Sequence, residues 1–128
     1  MIYLDSSVLL AELFAEDRSP TAEFWQETLI SSRLLEVEVW NRVHAYQRDR
    51  SHGEHVRALL GHVALMELED AVLTRAMAAF PIAVRTLDAL HLASIQVLRA
   101  QGELIELATY DKRLAAGASA LGIVVATM

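Results

Sequence analysis

Short apolar runs alternate along the chain with longer segments that have the spacing of amphipathic helices. The run at residues 2–4 predicts a buried strand, and a helical pattern then extends to about residue 15. Later apolar runs predict further strands at residues 29–32, 64–68, 104–108 and 123–125. Strands that alternate with helices in this way are typical of an α/β fold with a mostly parallel sheet. We therefore predict one α/β domain over residues 1–128.

The segments between the strands carry signals for the starts and ends of helices. Pro20 and Thr21 predict the start of a second helix. Apolar residues at helical spacing predict a long helix over residues 33–50, which the SHG sequence at residues 51–53 ends. Further helices are predicted over residues 55–63, 69–80, 86–100 and 111–120, with Thr86 as a cap and with Gly102 and Gly122 as helix stops.

The composition of the chain suggests more apolar surface than one small core requires. A chain of 128 residues is long enough to bury a sizeable core. Its 54% hydrophobic content exceeds the usual share for a globular domain, which favours a sheet covered on both faces. The excess also suggests an apolar surface reserved for a protein partner.

Several classes of protein are disfavoured by the sequence. The longest uncharged apolar run, residues 76–84, is too short for a membrane span, and Asp5 and Glu12 interrupt the N-terminal apolar stretch, so we expect neither a membrane anchor nor a signal peptide. The absence of cysteine excludes a zinc–thiolate site and a cysteine nucleophile, and a cytoplasmic location fits it. The net charge of −6 argues against a broad basic face for nucleic acid, but divalent metal in an acidic site makes that site locally cationic.

Three aspartates fall at or near junctions where a helix begins. Asp5 follows the first predicted strand and Asp111 follows a later one, so both are placed where ligands bind in parallel sheets, although helix capping accounts for each of them equally well. Asp88 lies in the first turn of an almost wholly apolar helix. Burying a carboxylate in such a segment is unfavourable unless it is paired or coordinated, so Asp88 is a stronger candidate than a surface acid.

Glu36 and Glu38 are alternatives for a fourth acid. Two residues apart on a helix, they point about 200° away from each other, so both cannot reach one site. Glu38 shares its face with polar and small residues, which suits an open cleft better than the apolar face of Glu36. With Glu38, the four carboxylates predict an all-oxygen site for Mg²⁺ or Mn²⁺ rather than zinc, because a divalent cation relieves their mutual repulsion.

The stretches around these four acids resemble the PIN-domain nucleases, and specifically the VapC-type ribonuclease toxins of toxin–antitoxin pairs. The resemblance is carried by residues 2–9 (IYLDSSVL), 32–39 (SRLLEVEV), 85–93 (RTLDALHLA), 108–115 (ATYDKRLA) and 122–125 (GIVV). It implies a three-layer α/β/α sandwich and a Mg²⁺- or Mn²⁺-dependent endoribonuclease that forms a homodimer. It also implies a small antitoxin that inserts a segment near the acidic groove, and contact with DNA only through that antitoxin.

This resemblance assigns a role to each candidate residue. Asp5, Glu38 and Asp88 are expected to be metal ligands or water-mediated anchors, and Asp111 to hold a second metal or to orient the water. Ser6 and Thr109 are expected to hydrogen-bond to the carboxylates or to metal-bound water. The candidates for contacts with RNA phosphates, any of which is equally well explained as a surface ion-pair partner, are Arg33, Arg42, Arg85, Lys112 and Arg113.

Two other functions fit parts of the pattern. A PIN-like binding module would act mainly through its antitoxin in the autoregulation of operator DNA, with little catalysis of its own. A phospho-acceptor receiver domain would need adjacent acids after an early strand, whereas Asp5 is followed by Ser6. We interpret His52 and His55 as part of a solvated face. His91 lies one turn beyond Asp88 and could bond that region, but we interpret it as a helix histidine with satisfied hydrogen bonds.

Overall fold

The computed structural model describes all 128 residues and has a four-stranded parallel sheet at its centre. The strands are β1 (Ile2–Leu4), β2 (Leu29–Ser32), β3 (Val63–Met66) and β4 (Glu106–Ala108), in the spatial order β3-β2-β1-β4. Every neighbouring pair is parallel, and Tyr3 of β1 lies opposite both Ile30 and Leu107. The carboxyl ends of all four strands therefore lie at one edge of the sheet.

Six α-helices cover the two faces of this sheet. They are α1 (Ser6–Leu13), α2 (Leu34–Ala45), α3 (Asp49–Leu60), α4 (Asp70–Met77), α5 (Thr86–Ala100) and α6 (Lys112–Ala120). One hydrophobic core contains Leu4 and residues of α1, α2 and α3, and a second contains Tyr3 and residues of α5 and α6. Adjacent residues of a strand point to opposite faces, so Leu4 and Tyr3 place these two cores on opposite sides of the sheet. The predicted three-layer α/β/α sandwich is confirmed.

The end of α2 differs from the prediction. The single helix expected over residues 33–50 is wrong, because α2 ends at Ala45 and α3 begins at Asp49 and continues through the expected break at residues 51–53. Gln47 takes a left-handed conformation with φ of 55°, and the N–H groups of Gln47 and Arg48 donate to the carbonyls of His44 and Val43. These two bonds satisfy carbonyls that the helix end would otherwise leave unpaired.

Smaller differences occur elsewhere in the chain. The segment after Pro20 forms only a short 3-10 helix (Ala22–Gln26), and the closing strand is reduced to one parallel bridge between Leu107 and Val125. The prediction that Thr86 caps a helix is wrong, because Thr86 is the first residue of α5 and follows Arg85 at the cap position. No helix in the structure combines the length and the apolar character needed to cross a membrane.

Candidate metal centre

A cleft of about 740 Å³ opens beside the carboxyl ends of the strands. The five carboxylates that line it are those of Asp5, Glu38, Asp88, Asp111 and the exposed Glu16. Asp5 directly follows β1, and Asp111 directly precedes α6. Glu38 lies on α2, and Asp88 lies in the first turn of α5. Four segments that are distant in the sequence thus place their acidic side chains in one cleft.

The Asp5 carboxylate is buried and held by three hydrogen bonds to a single oxygen. Oδ2 accepts from the Ser7 hydroxyl at 2.7 Å, the Thr109 hydroxyl at 2.8 Å and the Ser7 backbone N–H at 3.3 Å. The third of these bonds caps α1. Oδ1 accepts no hydrogen bond and remains available to a cation. Helix capping and a position in the cleft, which the sequence presents as alternatives, therefore coexist at Asp5.

Asp111 combines the same two features. Its Oδ1 accepts from the backbone N–H groups of Arg113 at 2.9 Å and Leu114 at 3.3 Å, which caps α6. Its backbone N–H donates to the Thr109 hydroxyl oxygen at 2.9 Å, and that hydroxyl in turn donates to Asp5. Thr109 therefore links the carboxylate after β1 to the segment after β4.

The serine that contacts Asp5 is Ser7 rather than Ser6. Besides its bond to Asp5, the Ser7 hydroxyl accepts from the backbone N–H of Tyr110 at 2.9 Å. Ser6 lines the cleft, but its side chain forms no hydrogen bond. The expected bond between Ser6 and a carboxylate is therefore wrong for Asp5, and the hydroxyl one residue further along the helix forms it.

Glu38 is held by a buried histidine. His91 is 1% exposed, and its Nε2 lies 2.6 Å from Glu38 Oε1 while its Nδ1 lies 2.7 Å from the Tyr3 hydroxyl. Burial by itself lowers the pKa of the imidazole, but the hydrogen bond to Glu38, the contact with Tyr3 and the charge of Glu38 together raise it to about 10. Because both ring nitrogens are occupied, His91 orients Glu38 and leaves its Oε2 free. Glu36 instead pairs with Arg33 at 2.6 Å.

The His91→Leu substitution is expected to lower the free energy of unfolding by about 2–4 kcal/mol, because it leaves Glu38 and the buried Tyr3 hydroxyl without a partner. A pKa raised from 6.5 to about 10 means that the pair contributes its full stability below pH 6.5 and loses it as the pH approaches 10. The free energy of unfolding, measured with urea in EDTA, should therefore fall more steeply between pH 6.5 and about pH 10 for the wild type than for the variant. The control is His55→Leu at an exposed position, and an equal loss there would contradict this role of His91.

The Asp88 side chain forms no hydrogen bond, and the charges of the other acids affect its pKa. Burial raises the pKa of its carboxyl, and the negative charges of Asp111, Asp5 and Glu38 raise it further, against an opposing effect of His91. Ionising all four carboxylates together is therefore unfavourable in the absence of a counter-charge. Asp5, Glu38, Asp88 and Asp111 each have a carboxylate oxygen without a hydrogen bond, so this set of donors fits a hard divalent cation.

Three of the five predicted basic residues line this cleft, namely Arg42, Arg85 and Arg113. Arg33 does not line it and forms surface ion pairs with Glu36 and Glu67, and Lys112 does not line it either. Arg18, which the sequence does not indicate, does line the cleft, and its guanidinium lies 4.7 Å from the centre of the Tyr110 ring. Arg18 lies in the loop between α1 and the 3-10 helix, which has no periodic pattern, so only the folded chain reveals its position.

Comparison with known proteins gives the same architecture and assigns the family. Residues 2–119 match the model of the PIN domain. The ribonucleases VapC35 and VapC46 of Mycobacterium tuberculosis are each 34% identical to this chain, over 98% and 97% of it and 95% of their own lengths. A chain of a solved toxin–antitoxin complex from Klebsiella pneumoniae superposes with a TM-score of 0.68 at 20% identity, over 99% of this chain and 97% of that one.

The PIN-domain model matches nearly the whole of this parallel α/β/α sandwich, so the chain belongs to the PIN-domain family. Within that family, its identity to the Mycobacterium proteins over nearly the full length of both chains makes it a VapC-type member. The resemblance read from residues 2–9, 32–39, 85–93 and 108–115 is confirmed.

Proposed function

We propose that this protein is a Mg²⁺- or Mn²⁺-dependent endoribonuclease that acts as the toxin of a toxin–antitoxin pair. The observation that carries the proposal is the convergence of Asp5, Glu38, Asp88 and Asp111 on one cleft, each with an oxygen free of hydrogen bonds. The raised pKa of Asp88 supports a cation at this place, because burial and then the charges of the other acids make its ionised form unfavourable without a counter-charge. The names of the VapC relatives as ribonucleases support RNA as the substrate.

In this proposal Asp5, Glu38 and Asp88 hold the metal, and Asp111 holds a second ion or orients the attacking water. The bound metal supplies Lewis-acid polarisation of the scissile phosphate and lowers the pKa of a bound water. Ser7 and Thr109 fix the Asp5 carboxylate, and His91 fixes Glu38, so that their free oxygens keep a constant orientation. Ser6 lies at the cleft wall within the same helical turn.

The arginines of the cleft contact the substrate backbone in this scheme. Arg42, Arg85 and Arg113 line the cleft together with the acids, and none of them forms a salt bridge with a carboxylate. Their guanidinium groups are therefore free to donate to phosphate oxygens on either side of the scissile bond. This local cluster accounts for nucleic-acid binding by a chain whose net charge is −6.

We also infer that the protein forms a homodimer and binds a cognate antitoxin, and that it contacts DNA only through this antitoxin. We infer a cytoplasmic location, where RNA is available. An apolar groove of about 580 Å³ between α4 and α5 supports a protein-binding surface. The groove is lined by Leu73, Met77, Phe80, Ile82, Val84 and Leu90, and the Met77 side chain is 80% exposed. This groove is the one observation that favours the alternative function of a binding module, which would need no free carboxylates.

Purified protein should cut labelled total RNA or tRNA into discrete fragments in Mg²⁺ or Mn²⁺, and EDTA should abolish the cutting. The physical reason is that the carboxylates alone are anionic and repel the phosphate backbone, whereas the metal-filled site attracts it. Gel analysis of the fragments with EDTA, Mg²⁺, Mn²⁺ and Zn²⁺ in parallel measures the effect. Undiminished cutting in EDTA would contradict the metal site, and folded protein without any cutting would favour the binding module.

A further inference from the structure

Helices α1 and α2 end on aromatic residues that meet beside the acidic cleft. Phe14 and Tyr46 are the respective caps, and each is followed by a non-glycine residue in the left-handed region, Ala15 with φ of 49° and Gln47 with φ of 55°. A left-handed conformation is unfavourable for residues with a Cβ atom and persists where the surrounding structure enforces it. The two strained turns bring the Phe14 and Tyr46 rings to a centroid distance of 5.4 Å.

These rings belong to an aromatic cluster, which consists of Phe14, Tyr46 and His52. The His52 ring packs on Phe14 at a centroid distance of 5.3 Å, and the Tyr46 side chain is 54% exposed. Phe14 and Tyr46 line the acidic cleft and also border an adjoining depression of about 560 Å³, together with His52 and Arg48. The aromatic cluster is therefore a continuation of the cleft that holds the four carboxylates.

Two arginines flank the aromatic cluster without a charged partner. The Arg42 guanidinium lies 5.8 Å from the centre of the Tyr46 ring, and Arg48 borders the adjoining depression. Neither arginine forms a salt bridge, whereas Arg33 at the N-terminal end of α2 is paired with two glutamates. The exposed Tyr46 ring beside guanidinium groups without an ion-pair partner matches the two parts of a nucleotide, the base and the phosphate.

We propose that the aromatic cluster is a subsite for one unpaired RNA base adjacent to the scissile phosphate, with that base stacked on Tyr46 and with Arg42 and Arg48 on the neighbouring phosphates. The subsite rests on the proposed nuclease function and adds a determinant of specificity to it. A base in a duplex is stacked inside the helix and does not present its face to Tyr46, so the subsite selects single-stranded segments. An apolar protein segment is better matched by the groove between α4 and α5, which is lined almost entirely by hydrophobic residues.

The test is the binding of a fluorescein-labelled, cleavage-resistant phosphorothioate RNA octamer of randomised sequence, measured by anisotropy in Mg²⁺ so that the acidic cleft is filled and nothing is cleaved. The Tyr46→Ala variant should bind the octamer roughly fivefold to a hundredfold more weakly, the range that base–aromatic stacking contributes, and Tyr46→Phe should bind within about twofold of the wild type. An RNA duplex of matched length should show little dependence on residue 46. Equal binding of the octamer by the wild type and Tyr46→Ala, or no measurable binding by the wild type, would overturn the subsite.

Arginine variants provide a matched control. Arg42→Gln and Arg48→Gln should each weaken octamer binding and reduce its dependence on salt, because each removes about one phosphate contact. Arg75→Gln removes a similar arginine–aromatic contact, with Phe80 at 4.2 Å, outside the cleft and should leave both quantities unchanged. Equal effects of Arg75→Gln and Arg42→Gln would count against the subsite. Because octamer binding needs no catalysis, its result is separate from the metal-dependent cleavage that tests the nuclease itself.

Discussion

The Asp5→Asn variant is expected to keep its fold and to lose at least about a hundredfold of the metal-dependent cleavage rate. Asparagine caps helices as well as aspartate does, and its amide oxygen accepts the hydrogen bonds from Ser7 and Thr109 that Oδ2 accepts now. The substitution therefore removes the negative charge while it keeps the shape. Initial rates of RNA cleavage in Mg²⁺, together with urea unfolding in EDTA, separate the two effects.

The Ser7→Ala variant is the informative comparison for Asp5→Asn. It keeps the carboxylate but removes the 2.7 Å hydrogen bond that orients it, so the rate should fall by about tenfold to a hundredfold. Wild-type cleavage by Asp5→Asn would show that Asp5 serves only as the cap of α1. A loss of folding stability above about 1 kcal/mol in Asp5→Asn would likewise favour a structural role.

The Asp88→Asn variant is expected to be nearly inactive and yet more stable than the wild type when metal is absent. In the wild type, burial and the charges of Asp111, Asp5 and Glu38 raise the pKa of Asp88, so its ionisation opposes folding. A group whose pKa is raised in the folded state makes the protein more stable as the pH falls through that pKa, and the neutral amide removes this dependence. At neutral pH we expect a gain of about 0.5–1 kcal/mol, because solvent screens a partly exposed group.

Calorimetry at neutral pH in EDTA and in Mg²⁺ measures both parts of the Asp88 prediction. Mg²⁺ that binds the folded state raises the unfolding temperature. The wild type should therefore gain more stability from Mg²⁺ than the variant, which has lost one of the proposed ligands. Glu36→Gln is the matched control, since this acid is on α2 but pairs with Arg33 outside the cleft. A variant at Asp88 that unfolds at a lower temperature in EDTA would contradict the repulsion among the four acids.

Glycine marked some helix ends correctly and one wrongly, since Gly53 lies inside α3 rather than in the predicted break. Gly102 and Gly122 have positive φ values and follow α5 and α6, as expected from the low cost of left-handed glycine. Gln47 has the same role after α2 but has no distinctive residue type, so the predicted helix ran past it. The sequence did predict two helices in this region, but it placed the break between them at residues 51–53 instead of residues 46–48.

The positions of the acids follow from local patterns, but their partners do not. Asp5 and Asp111 are recognisable because each stands where an apolar run ends and a helical pattern begins. His91 contacts Tyr3 and Glu38, which are 88 and 53 residues away in the sequence, and no local rule connects them. Whether Ser6 or Ser7 bonds to Asp5 depends on which hydroxyl the first turn of α1 directs toward the carboxylate. The hydrophobic periodicity does not resolve this direction.

The hydrogen bond between Thr109 and Asp5 has a consequence for the synthesis of the protein. It spans 104 residues and joins the segment after β1 to the segment after β4. Translation adds about 5–20 residues per second, so Thr109 is synthesised on the order of 5–20 s after Asp5. Asp111 arrives in the same late segment. A nascent chain therefore carries no complete acidic cleft, and cleavage activity begins only after nearly all of the sheet has been made.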